Sequence, residues 1–201
     1  MKKLVYLEPD KIDAEPFTTS DIIAEHTNIN YRSVQRITEK YENSLSEFGR
    51  VRFQITPFET KGGVQNKKIY RLNEQQATLL ITFLKNTPVV VKFKTELVRQ
   101  FYAMREELTR RHAERISLKP IRRELTDVIK QTDDDVWAYK KYTDLSYKAV
   151  TGKIARVLRQ ERGAPKDAKA VDYMSADEIR AIAEMQYKIA VLLDIGMDYN
   201  R

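Results

Sequence analysis

The chain has 201 residues, 42% of them apolar and 32% charged, which allows one or two compact domains and excludes collagen-like, mucin-like and wholly disordered chains. Lys and Arg number 36 against 29 Asp and Glu, a formal charge of +7 with a pI near 9.4, a balance that favours a polyanionic partner. Cysteine is absent, so disulfides, cysteine nucleophiles and cysteine-ligated zinc or iron–sulfur centres are excluded, and the chain reads as cytoplasmic.

The opening run Lys2-Lys3-Leu4-Val5-Tyr6-Leu7 is followed at once by Glu8-Pro9-Asp10, too short an apolar stretch for a signal peptide, and it reads as a first strand. Neither Leu79 to Leu84 nor Val89 to Val91 approaches the roughly 18 apolar residues of a membrane-spanning helix. Thr18, Thr19 and Ser20 place a capping hydroxyl before a short helix that begins with Asp21-Ile22-Ile23. The turn Thr27-Asn28-Ile29-Asn30 follows, with Asn30 set to cap a second helix from Tyr31 to about Tyr41. Two short helices joined this way predict a helix-turn-helix unit. In the second helix Val34, Ile37 and Tyr41 form an apolar stripe, while Arg32, Arg36 and Glu39 point away from it and Ser33, Gln35 and Lys40 flank them.

Strict alternation through Arg50-Val51-Arg52-Phe53-Gln54-Ile55-Thr56 predicts a half-buried strand, with Pro57 weakening its end. Lys61-Gly62-Gly63 leads on to Lys67-Lys68-Ile69-Tyr70-Arg71-Leu72, which predicts a hairpin with a long, mobile, basic tip. A helix-turn-helix followed by such a hairpin is a winged helix. From Asn30 to Arg71 there are nine Lys and Arg against four Glu, an excess of five that equals the excess of 20 over 15 in the first 116 residues. The positive surplus therefore sits on the second helix and the wing, where phosphate contacts would supply affinity for duplex DNA. Arg32 and Arg36 suit guanine edges, Gln35 suits adenine, and Ser33, Lys40, Arg52, Lys61, Lys67 and Lys68 suit phosphates.

Asn73-Glu74-Gln75-Gln76 has the form of a capping box, opening a helix to about Asn86. Thr87-Pro88 then opens a long helix to about Arg115, in which Phe93, Leu97, Phe101, Met104 and Leu108 are spaced like a dimerisation seam. The polar stretch 109–118 and Pro120 place a domain boundary near residue 116, giving a winged helix-turn-helix domain over 1–116 and a helical assembly or partner domain over 117–201. In the latter, Asp133-Asp134-Asp135 caps the next helix, and Ser175-Ala176-Asp177-Glu178 is a capping box for the last. A second basic stretch runs through Lys140, Lys141, Lys148, Lys153, Arg156, Arg159 and Arg162, opposed by Asp144 and Glu161, and its tyrosines Tyr139, Tyr142 and Tyr147 read as core residues rather than base-stacking platforms. The expected class is α+β, with an all-α carboxy-terminal part.

Signs of catalysis are weak. His26 and His112 lack ligand-spaced companions, Gly62-Gly63 lacks the Lys-Ser or Lys-Thr of a phosphate loop, and the macrodipole accounts for the acids at 133–135 better than a divalent ion does. The reading is of a non-enzyme with no cofactor and no metal.

Several stretches together resemble the phage regulatory protein Rha family. They are Thr19 to Ala24 with Tyr31 to Ile37, then Lys68 to Leu80, then Phe93-Lys94 through Phe101-Tyr102-Ala103-Met104, covering about residues 15 to 110. Tyr142 to Lys153, Leu158 to Gly163 and the terminal Leu193 to Tyr199 resemble the carboxy-terminal domain of phage regulatory and antirepressor proteins. Where many relatives carry histidine and asparagine entering the second helix, this chain has Tyr31 and Ser33, so contacts at those positions do not transfer. The resemblance implies DNA-linked regulation in a phage or prophage. The leading expectation is a regulator of transcription that binds double-stranded DNA as a homo-oligomer. The alternative is an antirepressor that sequesters another phage or host regulator without touching DNA.

Overall fold

The computed structural model describes residues 2–60, 63–133 and 135–197, so Lys61, Gly62, Asp134, Asp198 and Tyr199, which the sequence reading used, lie outside the described residues. The class is α+β: a three-stranded antiparallel sheet with its helices, then a helical carboxy-terminal part. The chain divides into two units, one of residues 1–8 with 15–105 and one of residues 9–14 with 106–201.

In the first unit the strands β1 (Phe17–Thr19), β2 (Arg52–Thr60) and β3 (Gly63–Asn73) lie in the order β1-β3-β2. Between β1 and β2 come the helices α1 (Ser20–Thr27), α2 (Tyr31–Lys40) and α3 (Glu42–Ser46), and after β3 comes α4 (Glu74–Thr82). The opening residues do not form the expected strand. Leu4 and Val5 give their N–H groups to the side-chain oxygen of Gln100, at 2.8 and 3.3 Å, and only Tyr6 bridges to Phe17. Thr19 holds the cap position of α1, but its hydroxyl donates to the Asp21 carboxylate at 2.5 Å and not to the helix backbone.

The hairpin departs from expectation most. Pairing runs from Arg52↔Arg71 out to Thr60↔Gly63, so residues 57–60 and 63–66, expected in a long mobile tip, are strand instead. Pro57 sits within β2 because β2 is an edge strand, where a missing N–H costs no ladder bond on its open side. The core beneath the sheet joins Ile23, Val34, Leu45, Tyr70, Leu72 and Leu80 to the first part of α5 (Pro88–Thr132). The starts of α4 and α5 use the expected local chemistry: Asn73 and Gln76 form a capping box, and the Val90 N–H donates to the Thr87 hydroxyl at 3.3 Å.

The expected dimerisation seam is core. Phe93, Leu97 and Phe101 are buried within the first unit and Met104 packs against that cluster, while Leu108 is half-buried. Helical apolar spacing serves a protein's own interior as well as a partner helix, and here the stripe joins the core cluster of Ile23, Tyr70, Leu72 and Leu80, with the His26 ring stacked on Phe93.

α5 continues through residue 116 and through Pro120, so the polar stretch read as a boundary is helix. Leu118, Leu125 and Ile129 anchor the helix on both sides of the proline in the core of the second unit, outweighing the one backbone bond that Pro120 cannot make. That unit also takes in 9–14: Ile12 is buried, its N–H donates to the Asp172 carbonyl at 2.8 Å, and Asp10 pairs with buried Arg111 at 2.7 Å. Helices α6 (Ala138–Thr151), α7 (Ala155–Glu161) and α8 (Ala176–Asp194) complete it, with the expected Ser175–Glu178 capping box at the start of α8. Burial pushes the Glu178 carboxyl up, but paired bonds from Arg162 at 2.5 and 2.9 Å outweigh it and hold the group below the usual carboxylate range. No helix among the described residues is long and apolar enough to cross a membrane.

Candidate nucleic-acid interface

Three residues, 28–30, separate α1 from α2. Asn28 closes α1 in the left-handed region at φ 57°, a conformation asparagine tolerates, and the Asn30 side chain caps α2 by accepting from the Arg32 N–H at 2.9 Å. Val34 and Thr38 are fully buried, Ile37 packs against the same core, and the Tyr41 ring stacks on Phe83 with centroids 3.9 Å apart. The apolar stripe read from the sequence thus seats the helix.

The remaining surface of α2 divides into two stripes of i, i+4, i+8 spacing. One, Tyr31, Gln35 and Glu39, meets β3. Gln35 donates to Glu39 at 3.0 Å, the Tyr70 hydroxyl donates to the same carboxylate at 3.0 Å, and Lys68 lies 3.9 Å from it. The hydrogen bond from Gln35, together with Tyr70 and Lys68, holds the Glu39 carboxyl below the usual carboxylate range despite some burial. Burial, reinforced by Glu39, pushes the Tyr70 phenol well up. The Lys67 ammonium caps the Tyr31 ring at 4.1 Å, and Lys68 stands 4.2 Å from the Phe53 ring and 4.7 Å from that of Tyr70.

The other stripe is Arg32, Arg36 and Lys40. All three are exposed, and neither arginine makes an ion pair or a side-chain hydrogen bond with a described residue, while Lys40 rests 5.1 Å from the Tyr41 ring. Of the residues singled out from sequence, Arg32, Arg36 and Lys40 therefore stand together in solvent. Lys67 and Lys68 reach α2 from the hairpin stem, and Ser33 is half-buried. Gln35 is occupied by Glu39, because the stripe it shares with Tyr31 is the one that faces β3. Arg52 lies elsewhere: alternation along β2 puts it on the sheet face opposite Phe53, across from Arg71, in a cleft of about 300 Å³ with Tyr6, Glu8 and Phe17.

What the sequence reading missed is on the hairpin. Phe53 and Ile55, expected on a half-buried face, are 50% and 62% exposed, and Phe58 and Val64 are exposed as well. Alternation did signal an apolar face; the pairing out to Thr60↔Gly63 carries that face away from the core.

The clamp on Glu39 has a measurable consequence. Its depressed carboxyl means that the contact stabilises the hairpin above the ordinary carboxylate pKa, and that this contribution is lost as pH falls through the lower folded value. Glu39→Gln removes the negative charge and releases Lys68. For a duplex-binding surface the expected result is affinity higher by about threefold and a salt dependence steeper by about one unit of slope, from one added phosphate contact. An unchanged slope would place Lys68 away from the phosphates.

These features define an α+β unit in which a capped, basic helix lies beside a long hairpin. Residues 18–106, from β1 into α5, match the family described as phage regulatory protein Rha, the family that the motifs in the sequence resemble. The match supports a phage regulatory role. Comparison with curated proteins gives no match.

Proposed function

We propose that this protein is a non-enzymatic phage or prophage regulator that acts in the host cytoplasm, binds duplex DNA through a winged helix-turn-helix and controls transcription by occupancy. α1 and α2 are the helix-turn-helix, α2 enters the major groove, and the hairpin is the wing. The observation that carries this reading is the Arg32, Arg36 and Lys40 stripe, exposed on a capped helix. Guanidinium groups free of internal partners can reach guanine edges or phosphates without breaking anything in the fold. Lys67 and Lys68 on the stem suit the adjacent backbone. A mobility-shift titration of the full chain on a duplex enriched from a random pool tests it. Affinity falling steeply between 50 and 200 mM salt, as several phosphate contacts require, supports the reading, and a flat dependence rejects it.

One observation favours a second reading, the antirepressor that captures another regulator. β2 is an edge strand carrying exposed Phe53 and Ile55, a surface able to add a strand or an apolar face from a partner protein. Ile55→Asp separates the two. Under DNA binding it changes duplex affinity by no more than a few-fold, whereas under capture it abolishes retention of the partner and leaves any duplex binding intact.

A further inference from the structure

The second unit holds a surface that the DNA-binding proposal does not use. On α6 the residues Lys140, Asp144 and Lys148 follow one stripe, with Trp137 one turn before them, at the N-cap position. Beside this stripe lie two clefts, of about 510 and 420 Å³, which share Lys140, Asp144 and Ile154 and so form one groove from Trp137 and Lys148 to Arg122 on α5 and Arg156 on α7.

The groove is cationic and mostly unneutralised. Arg122, Lys140, Lys148 and Arg156 are exposed and form no ion pair with a described residue. Nearby lysines behave otherwise: Lys141 pairs with Asp135 at 2.6 Å and Lys153 with Glu161 at 2.5 Å. Asp144 is the one acid among the groove's lining residues, and its carboxylate already accepts from the Ala155 N–H at 3.3 Å. At the groove's end Trp137 is 65% exposed, with Lys140 5.8 Å from its ring, and Tyr139 is 39% exposed on the groove wall. An ordinary solvated face has cations interleaved with acids and keeps its indole covered.

We propose that this groove binds a single-stranded nucleic acid, with phosphates on Lys140, Lys148, Arg122 and Arg156 and an unstacked base on the Trp137 indole. Cations along a groove beside an exposed aromatic ring are what a single strand requires, since its bases offer the π-faces that a duplex keeps stacked inside. An acidic protein segment would satisfy the cations but leave the indole without a planar partner. Tyr142 and Tyr147 on the same helix are buried, as the sequence reading expected, while Trp137 and Tyr139 are the accessible aromatics.

Trp137 is the only tryptophan in the chain, so its fluorescence reports the groove directly. The full-length protein is titrated at low salt with a ten-nucleotide oligothymidylate, a ten-nucleotide oligouridylate, a ten-base-pair duplex and polyglutamate. Quenching by either single strand, at least tenfold tighter than by the duplex or polyglutamate, is expected, and the stronger of the two names DNA or RNA as the source. Lys140→Glu with Arg156→Glu, both exposed, should weaken that binding by tenfold or more. Trp137→Ala should weaken it about tenfold when followed by anisotropy of a labelled strand, with Trp137→Phe restoring most of it. Arg32→Ala with Arg36→Ala should leave the quenching unchanged, which separates this site from α2. Absence of quenching by both strands, quenching indifferent to the charge reversals, or equal quenching by polyglutamate would each overturn the proposal.

Discussion

Replacing Arg32 and Arg36 together by alanine should weaken binding to a selected duplex by about 100-fold and lower the salt slope by about two, with the fold unchanged. The magnitude follows from two guanidinium contacts at roughly 1 to 3 kcal/mol each, where every 1.4 kcal/mol is tenfold. The fold should survive because both side chains are exposed and have no internal ion pair, while the groups that seat α2, Val34 and Thr38 in the core and the Asn30 cap, are untouched. Gln35→Ala serves as the internal comparison. Gln35 lies one residue from Arg36 but bonds Glu39, so its loss should loosen the contact with β3 and change duplex affinity far less. Equal effects of the two substitutions would mean that α2 meets DNA on a different stripe, or not at all.

Phe101→Ala should cost the first unit about 3 to 5 kcal/mol, measured as lost protection of its backbone amides in hydrogen exchange. The ring is 1% exposed and sits in the cluster that unites β3, α4 and α5, so its removal leaves a cavity in the core. Tyr102→Ala, one residue on and 61% exposed, should cost less than about 0.5 kcal/mol. Were Phe101 a seam between chains, the alanine variant would instead halve the apparent mass with little change in amide protection.

That contrast explains how far the sequence could be read. Local chemistry that closes on itself within a few residues was mostly legible: the Asn30 cap, the boxes at Asn73–Gln76 and Ser175–Glu178, and Thr87 before Pro88 all appear in the structure, whereas the Thr19 hydroxyl bonds Asp21 and α6 opens at Trp137 with no side-chain cap. The α+β class and the Rha resemblance, read over about residues 15 to 110 and matched over 18–106, were legible because the order of such signals is itself informative. What depends on distant packing was not legible. Spacing at Phe93, Leu97 and Phe101 fits a core and a coiled coil equally well, and only the presence of the sheet decides. Pro57 and Pro120 read as endings, yet an edge strand tolerates one and a well-anchored helix the other. Gln35 and Arg36 are neighbours in sequence, and which of them is free depends on where β3 lies.

Methylation interference at guanine N7 on the selected duplex probes the claim that α2 occupies the major groove, because a methyl group there blocks a side chain without altering the backbone. The expected result is loss of binding at a few guanines within one half-turn, with Arg36→Ala abolishing the interference at one of them. Binding that tolerates N7 methylation at every guanine would contradict the account, since the duplex would then be held by another surface of the protein.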